Sequence, residues 1–229
     1  PGPFSSVTLG TNGTDTLNGT AASDQLVGGA GNDILNGGGG ADVLIGGSGD
    51  DILAIEDLSF DRLDGGSGVD TVRFGSAPLT LDLSQPSLNT QIQEIEEIDL
   101  TGGQDHTLTL DGASVREMTS GGSLIIRADS GDTIHCVNDT WALQSTAGGF
   151  AQYSDGVSDV FITDTDGITI DGVGLAVTDN NPGTATGDVT YTFTFHEPVN
   201  GFTASDVVVS GGTAAGSFAT GLDGDSVYT

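Results

Sequence analysis

The sequence predicts an all-β chain: a coil of stacked parallel strands over residues 8–74, an all-β stack or sandwich over 75–170, and sheets with one buried face over 171–229. Three observations carry this prediction. Glycine, aspartate and leucine recur with a nine-residue period near the start. Helical periodicity is almost absent afterwards, where short β-rich runs are punctuated by Gly, Asn, Asp and Ser. The last stretch alternates apolar and polar residues, as half-buried strands do.

The nine-residue period runs through five units in phase. Gly10, Gly19, Gly28, Gly37 and Gly46 open them. Asp15, Asp24, Asp33, Asp42 and Asp51 stand at the sixth positions, and Leu17, Leu26, Leu35, Leu44 and Leu53 at the eighth. The fullest copies are Gly28-Gly29-Ala30-Gly31-Asn32-Asp33-Ile34-Leu35-Asn36 and Gly46-Gly47-Ser48-Gly49-Asp50-Asp51-Ile52-Leu53-Ala54. Six glycine-rich residues make a turn, because glycine adopts positive φ and lets carbonyls crowd together. Three residues make a strand whose leucine points to one side. Two units complete one coil. Leu17, Leu35 and Leu53 then stack on one wall, and Leu26 and Leu44 on the other.

A sixth unit, Gly65-Gly66-Ser67-Gly68-Val69-Asp70-Thr71-Val72-Arg73, lies beyond an interruption. Asp61-Arg62-Leu63 between them keeps the aspartate and the apolar residue, but residues 56–60 contain no glycine, so this is a degraded unit.

The coil pairs Asp15 with Asp33, Asp24 with Asp42, and Asp33 with Asp51 on shared edges. Bare carboxylates so placed repel each other. A hard dication bound by carboxylate and carbonyl oxygens relieves that repulsion. Calcium suits such a cage, since it takes 6–8 oxygen ligands in flexible geometry, whereas magnesium keeps its waters. A lone Gly-Asp cluster is only a turn, but five units in phase are more than that. The second unit, Gly19-Thr20-Ala21-Ala22-Ser23-Asp24, lacks glycine at its second and fourth positions and is the weakest.

These units resemble the RTX (repeats-in-toxin), hemolysin-type calcium-binding nonapeptide. The resemblance implies a calcium-binding parallel β-roll over 8–74 and a ligand set. First- and third-position carbonyls would come from Gly10, Asn12, Gly19, Ala21, Gly28, Ala30, Gly37, Gly39, Gly46 and Ser48. Second- and fourth-position carbonyls would come from Gly29, Gly31, Gly38, Gly40, Gly47 and Gly49. Carboxylates would come from Asp15, Asp24, Asp33, Asp42, Asp51, Asp61 and Asp70.

Charge narrows the partners. There are 33 acidic residues against four basic ones, for a net charge of −29. That argues against nucleic acid and against direct insertion into an anionic membrane. Only six of the acids are glutamate, the helix former; the rest are aspartate, which suits turns and ligands. Cys136 is alone, so no disulfide forms within the chain, and it reads as a buried thiol. No apolar run is long enough to span a bilayer as a helix.

Beyond the repeats, β-rich runs occupy 79–83, 92–100, 107–110, 124–128, 133–137, 160–163 and 168–170. A short helix is expected over 113–119. Isoleucines at 92, 95 and 98 also allow a helix, but the following Leu100-Thr101-Gly102-Gly103 reads as a turn after a strand. Residues 65–170 resemble the segment that follows RTX units in large bacterial adhesins, and the resemblance implies a β-helix-like stack continuing the roll over 75–170. The phrases Leu79-Thr80-Leu81-Asp82-Leu83, Ile95-Glu96-Glu97-Ile98-Asp99-Leu100 and His106-Thr107-Leu108-Thr109-Leu110 carry that likeness. Phe193-Thr194-Phe195-His196-Glu197-Pro198-Val199-Asn200-Gly201-Phe202 resembles bacterial Ig-like repeats. With 59 residues from Asp171, against roughly 100 for such sandwiches, the expectation is a truncated Ig-like β-sandwich over 171–229. The start at Pro1-Gly2-Pro3 likewise reads as a piece of something longer. Asp164-Thr165-Asp166-Gly167 with Asp171 is either a solvated turn or a further calcium loop.

Catalysis is not expected. His106, His135 and His196 are far apart, and neither a His-Glu-x-x-His nor a Gly-x-Ser-x-Gly motif occurs. The expectation is a calcium-dependent structural module of a secreted bacterial surface protein, an adhesin. The family resemblance implies type I secretion and an extracellular or cell-surface location, with neighbouring domains or further copies of the same protein as partners. The alternatives are the non-catalytic tail of a secreted hydrolase and a self-assembling surface-layer or filament subunit.

Overall fold

Each nine-residue unit folds as a turn followed by a short strand, and successive strands fall alternately into two facing sheets. The computed structural model describes residues 4–119, 121–138, 141–163, 168–171, 173–174, 176–179, 191–194 and 227–228, with main chain alone from 171 onward. The first sheet takes β1 (Ser6–Leu9), β3 (Asp24–Ala30), β5 (Val43–Ser48) and β7 (Arg62–Ser67). The second takes β2 (Thr16–Asn18), β4 (Ile34–Asn36), β6 (Ile52–Ile55) and β8 (Thr71–Phe74). All pairings here are parallel, so the roll is a stack of two-sided coils along one axis.

The register places like residues over like. Leu17 lies beside Leu35 and Leu35 beside Leu53, while Leu26 lies beside Leu44 and Leu44 beside Leu63. These leucines are buried and fill the gap between the sheets. The core of the roll is one leucine wide per strand. The extra residue between Asp51 and Asp70 is absorbed in the glycine-free turn between β6 and β7, so Val72 still lands on Leu53.

After Phe74 the coil gains a third side. β9 (Thr80–Asp82), β12 (Thr107–Leu110), β14 (Thr133–Cys136) and β18 (Thr169–Asp171) form a further parallel sheet. The first sheet ends on β10 (Ile92–Gln93), and the second continues through β11 (Glu97–Asp99), β13 (Ser123–Arg127) and β17 (Asp159–Thr163). The coil therefore lengthens: Leu53 and Val72 are 19 residues apart, but Ile98 and Ile126 are 28 apart. The wider interior accepts bulk that the roll cannot hold, including Phe74, Met118 and Trp141.

Residues 92–100 form two strands in different sheets rather than one. Glu94 takes φ 51° at the corner, and Ile92, Ile95 and Ile98 are all buried because the chain bends around the core between them. The helix falls at α1 (Gly112–Met118), capped by Asp111, which accepts from the Ser114 N–H at 2.8 Å while its own N–H donates to Ser114 Oγ at 3.0 Å. Its buried Val115 and Met118 close the core. A hairpin not foreseen from sequence, β15 (Trp141–Ala147) and β16 (Phe150–Ser154), joins the second sheet antiparallel to β17.

Among the described residues from 171 onward, Ala176–Asp179 pairs antiparallel with Tyr191–Thr194, which pairs antiparallel with Val227–Tyr228. Most of the expected Ig-like region, His196 and residues 164–167 lie outside the described residues. Among the described residues no helix is long and apolar enough to cross a membrane.

The leucine walls should dominate the packing of the roll. Leu44→Ala, at a fully buried wall position, should cost about 2–5 kcal/mol of the stability of the calcium-bound chain in chemical denaturation. Val7→Ala, at a residue 60% exposed on the same sheet, should change it by less than about 0.5 kcal/mol.

Candidate metal centre

Turns passing from the first sheet to the second stack on one edge: residues 10–15, 28–33, 46–51 and 65–70. Turns passing back stack on the other: residues 19–24, 37–42 and 56–61. On both edges an aspartate main-chain N–H donates to the aspartate of the next coil, but the turns differ in what occupies the second carboxylate oxygen.

On the first edge the aspartates form a ladder. The Asp15 N–H donates to Asp33 Oδ1 at 2.8 Å, the Asp33 N–H to Asp51 Oδ1 at 2.7 Å, and the Asp51 N–H to Asp70 Oδ1 at 2.8 Å. One oxygen each of Asp33, Asp51 and Asp70 is therefore a hook for the preceding coil's main chain. The other oxygen, Oδ2 of Asp33, Asp51 and Asp70, is buried with no hydrogen-bond partner. Unpaired buried polar atoms are rare and costly, and a buried carboxylate needs a counter-charge. The three residues are at most 1% exposed, so bulk water does not supply it.

The glycines leave room for that counter-charge. A methyl placed on Gly28 would collide with Asp33 Oδ2 and the Gly46 carbonyl oxygen; one placed on Gly46 would collide with Asp51 Oδ2 and the Gly65 carbonyl oxygen. Two different oxygens thus converge over Gly28 and over Gly46. Gly47 and Gly49 take φ 118° and 115°, and a Cβ on either would strike the carbonyl oxygen of Gly29 or Gly31 in the turn below. Only glycine fits there. No three His, Cys, Asp or Glu side chains converge among the described residues, so a cation at these turns draws on main-chain carbonyls as well as carboxylates. That donor set, all oxygen and largely neutral, fits calcium.

Where the second position is threonine, the vacant oxygen is already filled. Asp15 Oδ2 accepts from the Thr11 N–H at 2.6 Å and from Thr11 Oγ1 at 2.8 Å. Asp24 Oδ2 accepts likewise from Thr20, and its Oδ1 from the hydroxyls of Ser5 and Ser6. Those hydroxyls, Ser5 first, hold the Asp24 carboxyl well below the usual carboxylate range. Asp42 Oδ1 takes the Asp24 N–H at 2.9 Å. In the glycine-free turn Asp57 Oδ2 reaches the Gly40 N–H at 3.3 Å, while the main-chain N–H of the half-buried Asp61 donates to the Asp42 carbonyl at 2.8 Å. The carboxylate that touches residues 37–42 is therefore Asp57, which the period does not flag because it precedes the sixth position.

Residues 9–44, 18–53 and 59–76 match the RTX calcium-binding nonapeptide repeat, in four copies. RTX nonapeptide repeats bind calcium ions. Between its second and third segments the match leaves out residues 54–58, which include Asp57. No curated protein matches the chain.

Burial sets the titration of the cation-free edge. It pushes Asp51 up, Asp70 to about 7 and, on the other edge, Asp42 to about 6, from an ordinary 3.8; neighbouring carboxylates add to it. A raised folded-state pKa means the folded roll binds protons more tightly than the unfolded chain. The resulting penalty is absent below the ordinary value, grows through the window from about 4 to 7, and is complete above it. In chelator the folding equilibrium of the roll should accordingly lie further toward the folded state near pH 5 than near pH 8, read as a larger β signal in circular dichroism at the lower pH. Asp24 acts in the opposite sense, but only below about pH 4. Substitution should separate the two kinds of turn: Asp51→Ala should weaken calcium binding on the order of tenfold or more, since ligand charge sets affinity, whereas Asp24→Ala should change it far less in the same calorimetric titration.

Proposed function

We propose that this chain is a calcium-dependent structural module of a secreted bacterial surface protein, an adhesin, which folds and stiffens on meeting extracellular calcium. The observation that carries this reading is the column of buried, unpaired aspartate oxygens along one edge of a roll whose core is one leucine wide. So thin a core offsets little of the chain entropy of a segment this rich in glycine. Where metal binding supplies the missing term, binding free energy is folding free energy. A chain of this kind stays unfolded at low calcium inside the cell, which suits export through a type I secretion channel, and orders outside.

We read Asp33, Asp51 and Asp70, with carbonyls of the facing glycine turns, as the principal ligands. Their unpaired oxygens and the space over Gly28 and Gly46 support this. The strand phrases beyond residue 171 and the antiparallel main-chain pairing there support an Ig-like module of the kind found in long surface proteins. A non-catalytic role fits the setting of His106, which is buried, accepts the Leu79 N–H on Nδ1 at 3.2 Å and packs edge-on against Phe74.

The test is a calcium titration of chelated protein followed by far-ultraviolet circular dichroism, with magnesium as control. A cooperative gain of β signal, half-complete at roughly 10⁻⁴–10⁻³ M calcium and absent with magnesium, is the expected result. Full β signal in chelator, unchanged by calcium, would sink the proposal.

A further inference from the structure

The aspartate ladder does not stop at the last nonapeptide. The Asp70 N–H donates to Glu96 Oε2 at 3.0 Å, the same bond that Asp33 and Asp51 make to the aspartate of the next coil. Strand register puts Glu96 in that position independently: Thr71 lies beside Glu97, so the preceding residues, Asp70 and Glu96, face each other. On the other side of the turn, Asp64 lies beside Gln93, so Gly65 faces Glu94. A methyl on Gly65 would collide with the Glu94 carbonyl oxygen and the Asp70 side chain, as one on Gly46 would with the Gly65 carbonyl oxygen and Asp51. The main chain repeats too, with the Glu97 N–H donating to the Asp70 carbonyl as the Thr71 N–H does to that of Asp51. Three residues, 94–96, thus replace a six-residue turn, and a longer carboxylate side chain stands where the shorter turn would leave an aspartate out of reach. The second oxygen of Asp70 is fully buried and unpartnered.

We propose that Asp70, Glu96 and the Glu94 carbonyl form a further calcium site, one step beyond the nonapeptides, that closes the ion column where the two-sided roll becomes the three-sided stack. It rests on the calcium reading of the repeats and adds a site that their motif does not contain. Two carboxylates and a carbonyl give a hard, net-anionic oxygen set, and calcium readily fills remaining positions with water.

Calcium bound per chain, measured by equilibrium dialysis with metal analysis, tests it on the full chain and on Glu96→Gln. Glutamine keeps the acceptor for the Asp70 N–H but removes the charge. The expected result is one ion fewer in the variant, with the same circular dichroism in saturating calcium. Equal stoichiometry would overturn the proposal. Should Glu96→Gln fail to fold, an anomalous difference map of the unaltered chain crystallised with calcium decides: a peak between Asp70 and Glu96 supports the site, and peaks confined to the nonapeptide turns overturn it. An unaltered chain that holds no calcium anywhere overturns the reading of the repeats as well, which distinguishes the two failures.

Discussion

A carboxylate buried with one oxygen bonded and the other bare is the constraint around which this molecule is organised. Asp33, Asp51 and Asp70 each give Oδ1 to the main chain of the neighbouring coil and are left with Oδ2 facing nothing that donates. The first oxygen sets the spacing between coils; the second makes the stack conditional on a cation. Everything around them serves that arrangement. First-position glycines keep the space open, and second- and fourth-position glycines let carbonyls of adjacent turns approach. Leucines at the eighth position fill the only volume left between the sheets. Where threonine replaces the second-position glycine, at Thr11 and Thr20, its hydroxyl donates to the bare oxygen and the need for a cation is reduced.

The change from roll to stack shifts stability from ions to packing. Each coil of the roll contributes one leucine per strand, whereas the three-sided coils enclose Phe74, Ile95, Val115, Met118 and Trp141 around a wider core. Hydrophobic burial scales with the apolar area removed from water, so packing contributes more to the stack than to the roll. The ladder bond recurs in this region: the His106 N–H donates to Asp132 Oδ1 at 2.9 Å, and Asp132 Oδ2 accepts from the Asp129 N–H at 2.8 Å. Both oxygens of Asp132 are used, while Oδ1 of the adjoining Asp129 is buried without a partner.

Much of this is legible in the sequence because the period is strict. Glycine, aspartate and leucine in phase determine the coil length, the two walls and the edge on which each aspartate lies, and the register reproduces all three. What the period cannot show is how many donors each carboxylate already has. Asp24 looks like Asp33 in the repeat, yet Ser5, Ser6 and Thr20 saturate it, and Ser5 and Ser6 come from outside its unit. Asp57 is hidden because its turn has an extra residue and no glycine. Glu96 is hidden because its turn is short, although its place immediately before β11 matches that of each aspartate before its strand. The isoleucines at 92, 95 and 98 mislead for a related reason: a spacing of three can mean a helix face, but here it means a chain turning a corner around one core. Region 141–154 gave no clean alternation, since β15 and β16 form a hairpin exposed along much of β15.

The most direct test of the account is hydrogen–deuterium exchange of the full chain in chelator and in calcium, resolved by segment. The account predicts that amides of residues 28–36, 46–55 and 65–74 gain strong protection only with calcium, while residues 107–136 change much less. Equal protection of the glycine turns in both conditions would contradict it, because the bare aspartate oxygens would then be tolerated without a cation.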